Sequence, residues 1–305
     1  MRPNWSQAVT SFPFGARDLQ RVVGEIDRRL SLQGIEQIGG RAYALRVSIG
    51  GEAEERLVLL THSDADRERN PQIARDEFRL LKTLQAAGLP APAALSLCET
   101  HEPPFLITSF VQGASRLNAD DRPAFCQKLA AELCAIHAID LLEHELSFLP
   151  QARDLIACGA PPLSATQARI HLAMNSALPT VDCNPRALLH GDFWLGNLLW
   201  QGDRLVAIID WEDAMTGDPL ADLGKSRLEM LWALGDEAMS LYTGYYFALN
   251  PALDASALPL WDLWGASRLQ HYPSFASDPG EIPQMRAQYE AFVDDAIRQL
   301  NAVHE

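Results

Sequence analysis

The chain has 305 residues, with 40 Asp and Glu against 25 Lys and Arg, for a formal net charge of −15. At this length roughly three quarters of the unfolded surface is buried in about two domains, and 48% hydrophobic with 21% charged residues is a globular composition. Global disorder and a disulfide-dependent fold are therefore excluded, and the acidic balance argues against sequence-independent binding to nucleic acid or to an anionic membrane.

Five widely spaced cysteines (Cys98, Cys126, Cys134, Cys158, Cys183) contain no CxxC pair, so they read as thiols of a reducing compartment and not as a zinc cluster. Met1 to Phe14 lacks a basic stretch followed by an apolar one, and no run approaches 18 apolar residues. The expectation is a soluble cytoplasmic protein.

Leu19, Val22, Val23, Ile26 and Leu30 recur at helical spacing and predict a helix that stops near Gln33-Gly34. Residues 42–48 and 56–60 are predicted strands joined through Gly50-Gly51. Residues 73–87 form an amphipathic helix with Phe78, Leu81 and Leu84 on one side, ended by Gly88 and Pro90. Strands at 93–98 and 104–111 complete a small α+β unit, placed at residues 1–112. The remainder, 113–305, is predicted to be mainly helical, with helices at 121–139 and around Met285, Tyr289, Phe292, Ala296 and Leu300. Residues 187–210 break that pattern: short strands at 197–200 and 205–210 flank a turn at Gly202-Asp203.

That hairpin carries the chemistry. Asn197 opens its first strand and Asp210 ends its second, so antiparallel pairing brings both to one open end, with strands about 4.8 Å apart. A carboxamide and a carboxylate are hard oxygen donors suited to Mg²⁺, which takes its other ligands from water and substrate phosphates. Asp192, five residues before Asn197 in a loop opened by Gly191, is placed to accept a proton from an attacking hydroxyl. A base, two metal ligands and a phosphate donor make a phosphoryl-transfer site. A lone Asp in a loop is more often a cap or turn former, and it is the triple coincidence that points to chemistry. His190 stands alone, without the further His or Cys that zinc needs, and is assigned a structural role.

His190-Gly191-Asp192, Asn197, Ile209-Asp210-Trp211-Glu212, Gly217-Asp218-Pro219 and Asp222-Leu223 together resemble the signature of the aminoglycoside phosphotransferase and choline kinase-like superfamily. The resemblance spans about residues 34–300 and is densest from 187 to 224. It implies an α+β, bilobal protein-kinase-like fold, with a small β-rich N-terminal lobe, a larger helical C-terminal lobe and ATP held between them. By that resemblance Asp192 is the catalytic base, Asn197 and Asp210 are the Mg²⁺ ligands, and Asp222 is a buried tether for the catalytic-loop backbone. Gly39 and Gly40 begin the loop over the phosphates, Val58 lies in the nucleotide-binding strand, and Glu77 is the carboxylate that pairs with the strand-three lysine. Ser109 and Val111 offer backbone groups to adenine.

The strand at 56–60 carries no lysine, however, and the chain's only lysines are Lys82, Lys128 and Lys225. Arg46, Arg56 and His62 are the available substitutes. A nucleotide-binding pseudokinase with little transfer activity is therefore the alternative to an active kinase. Gly224-Lys225-Ser226 lacks the upstream glycine of a P-loop and is read as a helix start. The absence of a lysine two residues after Asp192, and Trp211-Glu212 after Asp210, separate the chain from protein kinases and favour a small-molecule acceptor. Residues 211–305 hold 15 acidic and 5 basic residues, two thirds of the net charge, together with Trp211, Trp232, Trp261 and Trp264. Carboxylates and aromatic faces attract ammonium groups, so the acceptor is expected to be a cationic amino alcohol, amino sugar or aminoglycoside, with Glu212 and Asp213 as its contacts.

Overall fold

The computed structural model describes residues 14–51, 53–117, 121–157, 164–177, 183–274, 276 and 278–303. Cys158 and the first 13 residues lie outside them. In chain order the elements are α1 (Ala16–Ile26), β1 (Leu30–Gln37), β2 (Ala42–Ile49), β3 (Ala53–Leu60), α2 (Asp64–Arg69), α3 (Ile73–Ala86), β4 (Ala94–Cys98) and β5 (Phe105–Ser109). There follow β6 (Ala114–Ser115), α4 (Arg122–His137), α5 (Ala152–Ala157), α6 (Ala165–Ala177), β7 (Ala187–Leu189), β8 (Leu198–Gln201), β9 (Arg204–Ile208) and β10 (Met215–Gly217). The chain ends in α7 (Leu220–Leu234), α8 (Asp236–Leu249), α9 (Leu258–Arg268) and α10 (Ile282–Val303). No helix among the described residues is long and apolar enough to cross a membrane.

The chain groups into two compact units: Met1–Ala114 with Leu199–Glu212, and Ser115–Leu198 with Asp213–Glu305. Residues 199–212, which the sequence places in the C-terminal lobe, thus group with the N-terminal one.

The first unit is built on a five-stranded antiparallel sheet of order β1-β2-β3-β5-β4. The predicted long first helix is shorter, because Asp27 is extended and Leu30 and Leu32 alternate into the sheet as β1 instead of continuing the helical stripe. Leu19, Val22 and Val23 of α1 pack with Leu45, Val47, Leu59, Phe105 and Ile107 in one apolar core. On α3 the buried side is Ile73, Glu77, Leu80, Leu81 and Leu84, with Phe78 only half-buried, so the apolar stripe is rotated to bring Glu77 inward.

In the second unit α4 packs on α8, and α7 crosses α9. That crossing accounts for Gly224: a Cβ there meets the Trp261 backbone at 2.5 Å, and one on Gly265 meets Lys225 Cα at 2.6 Å. Gly224-Lys225-Ser226 lies in the first turns of α7, in agreement with its reading as part of a helix. Just before that helix the Asp218 carboxylate accepts from Leu220 N at 2.9 Å and from the Asn184 amide. β7 pairs antiparallel with β10, and the chain leaving β7 becomes the loop that carries Asp192.

Candidate active site

Within the second unit, the loop from His190 to Asn197 is held from beneath by Asp222 on α7. The buried Asp222 carboxylate accepts from His190 N at 2.6 Å and Gly191 N at 2.8 Å, and lies 3.3 Å from His137 Nε2. Burial alone pushes that carboxyl up, but these hydrogen bonds and the nearby imidazoles hold it below its ordinary value. Gly191 has φ +79°, and a Cβ there falls 2.1 Å from Asp213 O, so only glycine turns the loop at this point. His190 is fully buried and its Nδ1 accepts from Asp192 N at 3.2 Å, in keeping with a structural role.

Asp192 is gripped on both sides. Asn197 Nδ2 donates to its carboxylate at 2.9 Å and to its backbone carbonyl at 3.0 Å, while Lys225 Nζ donates to the other carboxylate oxygen. Burial opposes ionisation, but the Lys225 ammonium and the Asn197 amide outweigh it and hold the Asp192 carboxyl low, in the form that accepts a proton. Asn197 sits in a 3₁₀ turn just before β8, and spending its amide nitrogen on Asp192 leaves Oδ1 as its donor to a cation.

Lys225 is buried and also meets Glu229 Oε1 at 3.1 Å, one helical turn on. Burial pushes the Glu229 carboxyl up to about 7. A raised acid pKa makes ionisation costly in the fold: the penalty is absent below the ordinary value near 4.5 and complete above about 7. Glu229→Gln removes it, so the unfolding free energy of the variant relative to the wild type is expected to rise between pH 5 and pH 8 by on the order of 2–3 kcal/mol. Chemical denaturation at the two pH values measures this, and a pH-independent difference excludes it.

In the first unit, Asp210 lies two residues past β9 with φ +62°, a left-handed conformation that Asp tolerates better than most residues. Arg41, in the turn between β1 and β2 that contains Gly39 and Gly40, makes a two-pronged bond to Glu77 (Nη1–Oε2 2.9 Å, Nη2–Oε1 2.7 Å). The same Nη2 lies 3.4 Å from Asp210 Oδ1 and 2.5 Å from Glu212 Oε2. His62 Nε2 adds a 2.7 Å contact to Glu77. Three carboxylates thus share one guanidinium. Burial first, then the charges of Glu77 and Asp210, push Glu212 up to about 8 despite Arg41. Such a shortage of positive charge fits a divalent cation at Asp210.

Five of the expected residues meet in one cavity of about 120 Å³: Val58, Glu77, Ser109, Val111 and Asp210 line it, with Ile38, Leu60 and Trp211 among its apolar walls. Ser109 is committed to its neighbours: its N–H donates to Ala93 O and its Oγ accepts from Ala93 N, both at 2.9 Å. Val111 lies beyond the end of β5. Gly39 and Gly40 form a tight connection in which the N–H groups of Ile38 and Gly39 both donate to Ala42 O.

The proposed substitutes for the missing lysine fare differently. Arg46 faces Glu54 at 3.5 Å and Arg56 stacks 3.8 Å over the Phe110 ring, whereas His62 does reach Glu77. The principal cation, Arg41, was not among them. Its signal was its place directly after Gly39-Gly40. Lys225, within the Gly224-Lys225-Ser226 helix segment, is the second cation that no motif marks. Glu212 and Asp213 are both ion-paired, the first to Arg41 and the second to Arg268 at 2.8 Å. Trp211, Trp261 and Trp264 are buried, and Trp232 stacks against Tyr289, so these rings serve packing.

Comparison with known proteins matches this geometry to a family. The hygromycin-B 4-O-kinase of Escherichia coli is 27% identical over 261 residues, covering 78% of this chain and 69% of that one. Acyl-CoA dehydrogenase family member 10 of Mus musculus is 28% identical over 200 residues, 58% of this chain, and member 11 of Gallus gallus is 28% identical over 221 residues. The chain spans only about a fifth to a quarter of the length of these dehydrogenase-family relatives: 18% of the first and 26% of the second. Among solved structures, the aminoglycoside phosphotransferase APH(4)-Ia in complex with AMP-PNP and hygromycin B has a TM-score of 0.64 at 21% identity, covering 92% of this chain and 98% of that one. The structure of a candidate aminoglycoside phosphotransferase from Ralstonia eutropha has a TM-score of 0.65 at 18% identity, covering 94% and 97%. These likenesses show the kinase-like fold. Residues 34–257 match the model of the phosphotransferase enzyme family, and the chain belongs to that family.

Proposed function

We propose that this protein is a small-molecule kinase that moves the γ-phosphate of ATP onto a hydroxyl of an amine-bearing acceptor. The observation that carries the reading is Asp192: an ionised carboxylate fixed by Lys225 and Asn197, on a loop whose backbone is pinned by the buried Asp222. Asp192 orients the acceptor hydroxyl and takes its proton as the oxygen attacks phosphorus. Asn197 and Asp210 would hold Mg²⁺, which when bound offsets the charge developing on the phosphates. The apolar cavity walled by Val58 and Val111 suits a planar base, and the carboxylate-rich end at Glu77 and Asp210 suits the metal-phosphate end.

The pseudokinase alternative rests on the absence of a lysine on β3, and the Arg41–Glu77 pair weakens that support. The amine in the acceptor is supported by the hygromycin-B kinase relative and by the acidic surplus after residue 211. With Glu212 and Asp213 paired to arginines, an ammonium group would compete with those arginines or use other carboxylates of the region. The test is an acceptor panel: hygromycin B, amino sugars and amino alcohols beside their uncharged hydroxyl counterparts, each with ATP, with and without Mg²⁺. Mg²⁺-dependent phosphorylation of amine-bearing members is expected. Transfer to uncharged members alone sinks the amine assignment, and nucleotide binding without transfer to any member returns the pseudokinase reading.

A further inference from the structure

We propose that Arg41, reaching in from the turn between β1 and β2, is the positioning cation for the nucleotide's phosphates and does the work that a strand-three lysine does elsewhere. The inference rests on the phosphotransferase reading above. β3 turns Val58 and Leu60, both aliphatic, toward the cavity that Glu77 lines. The cation at Glu77 is supplied across the sheet instead: Ala42 is the register partner of Leu60, and Arg41 precedes it.

Three features distinguish Arg41 from an ordinary structural ion pair. Both its Nη atoms are held by Glu77, which fixes the plane of the guanidinium. Its Nε is buried and has no hydrogen-bond partner among the described residues, so one donor of the fork remains to be used. The guanidinium also lies within 3.4 Å of Asp210, the residue proposed to hold the metal. Glu77 is buried and also met by His62, while Asp210 and Glu212 are partly exposed, so sharing one guanidinium among these carboxylates adds little to stability. The arrangement is well suited to a site that receives Mg²⁺ and a polyanion together. Arg41 stays charged at any working pH, so the contact does not depend on titration.

The test uses the full chain and direct titration with Mg²⁺ and AMP-PNP, alongside steady-state kinetics on whichever acceptor the panel identifies. Arg41→Met is expected to weaken nucleotide binding by about tenfold or more and to lower kcat, and Arg41→Lys to recover part of both. The decisive variant is Arg41→Met with Leu60→Lys, which moves the cation to the strand and is expected to regain at least about tenfold of the lost kcat/KM. Thermal unfolding monitors the fold of each variant. If Arg41→Met is unfolded, Arg41→Lys and the double variant decide. A folded Arg41→Met with binding and turnover within about twofold of wild type overturns the proposal, as does a folded double variant and a folded Arg41→Lys that recover nothing. Absence of turnover in the wild type overturns the kinase reading alone, because the binding titration still reports on Arg41.

Discussion

Asp192→Ala is expected to lower phosphoryl transfer by at least about 10³-fold while AMP-PNP binding stays within about twofold of wild type. The carboxylate is the proton acceptor in the proposed reaction, and the two groups that grip it cannot replace it: Lys225 Nζ and Asn197 Nδ2 both donate. Nucleotide affinity is spared because Asp192 is not among the residues that line the cavity with Val58, Glu77, Ser109 and Val111. Asp192→Asn is the sharper control. It preserves shape, but its amide meets the Lys225 ammonium or the Asn197 amide donor to donor, so it is expected to be as inactive as the alanine variant. A turnover within tenfold of wild type in either variant removes Asp192 from the role of base. Equal loss of nucleotide binding and transfer assigns it to binding instead.

The difference between what was legible in the sequence and what was not follows sequence separation. His190 to Asn197 and Ile209 to Asp210 are local motifs whose spacing survives folding, so Asp192, Asn197 and Asp210, the residues proposed as base and oxygen donors, stand out in the chain. Asp222 is 31 and 32 residues from the backbone groups it binds, yet it was legible through the resemblance, since one family motif spans the whole stretch. Arg41 was not. Its partners Glu77, Asp210 and Glu212 lie 36, 169 and 171 residues away, and nothing in a linear reading joins a turn arginine to them. The error about β1 has a related cause: Leu19 to Leu30 satisfy a helical period, and only pairing with β2 (Leu30 opposite Ile49, Leu32 opposite Val47) takes the last residues into the sheet. The arginine partners of Glu212 and Asp213 were hidden for the same reason. Glu212 and Asp213 look like free acids in sequence, and each is matched by an arginine distant along the chain.

Lys225 shows the converse. Asp222, Lys225 and Glu229 recur at positions i, i+3 and i+7 of α7, so one helix face carries a loop tether, a cation for the base and a carboxyl behind it. The spacing was present in the sequence. Its meaning needed the direction in which α7 faces, which the crossing with α9 at Gly224 and Gly265 determines. A protein kinase places a lysine two residues after its catalytic aspartate, and this chain brings an ammonium to Asp192, the residue proposed as base, from a helix 33 residues downstream.

Asp222→Ala is expected to cost about 3–5 kcal/mol of stability and to abolish transfer, because it leaves the buried His190 and Gly191 N–H groups without their acceptor. At roughly 2–4 °C per kcal/mol or less for a chain of this size, thermal unfolding should fall by on the order of 10 °C. The loop also loses the constraint that orients Asp192, so a fraction that remains folded at low temperature is still expected to be inactive. Asp222→Asn separates the two effects. It keeps one oxygen for His190 or Gly191 but turns an N–H toward the other, so its stability loss should be smaller than that of alanine while transfer remains strongly impaired. Nucleotide binding at 10 °C provides the internal control, since the cavity of the first unit does not include Asp222. An alanine variant with an unchanged melting temperature and normal turnover would show that the loop holds its shape through His190 and Asn197 alone. Asp222 would then be a buried acid without a part in positioning the base.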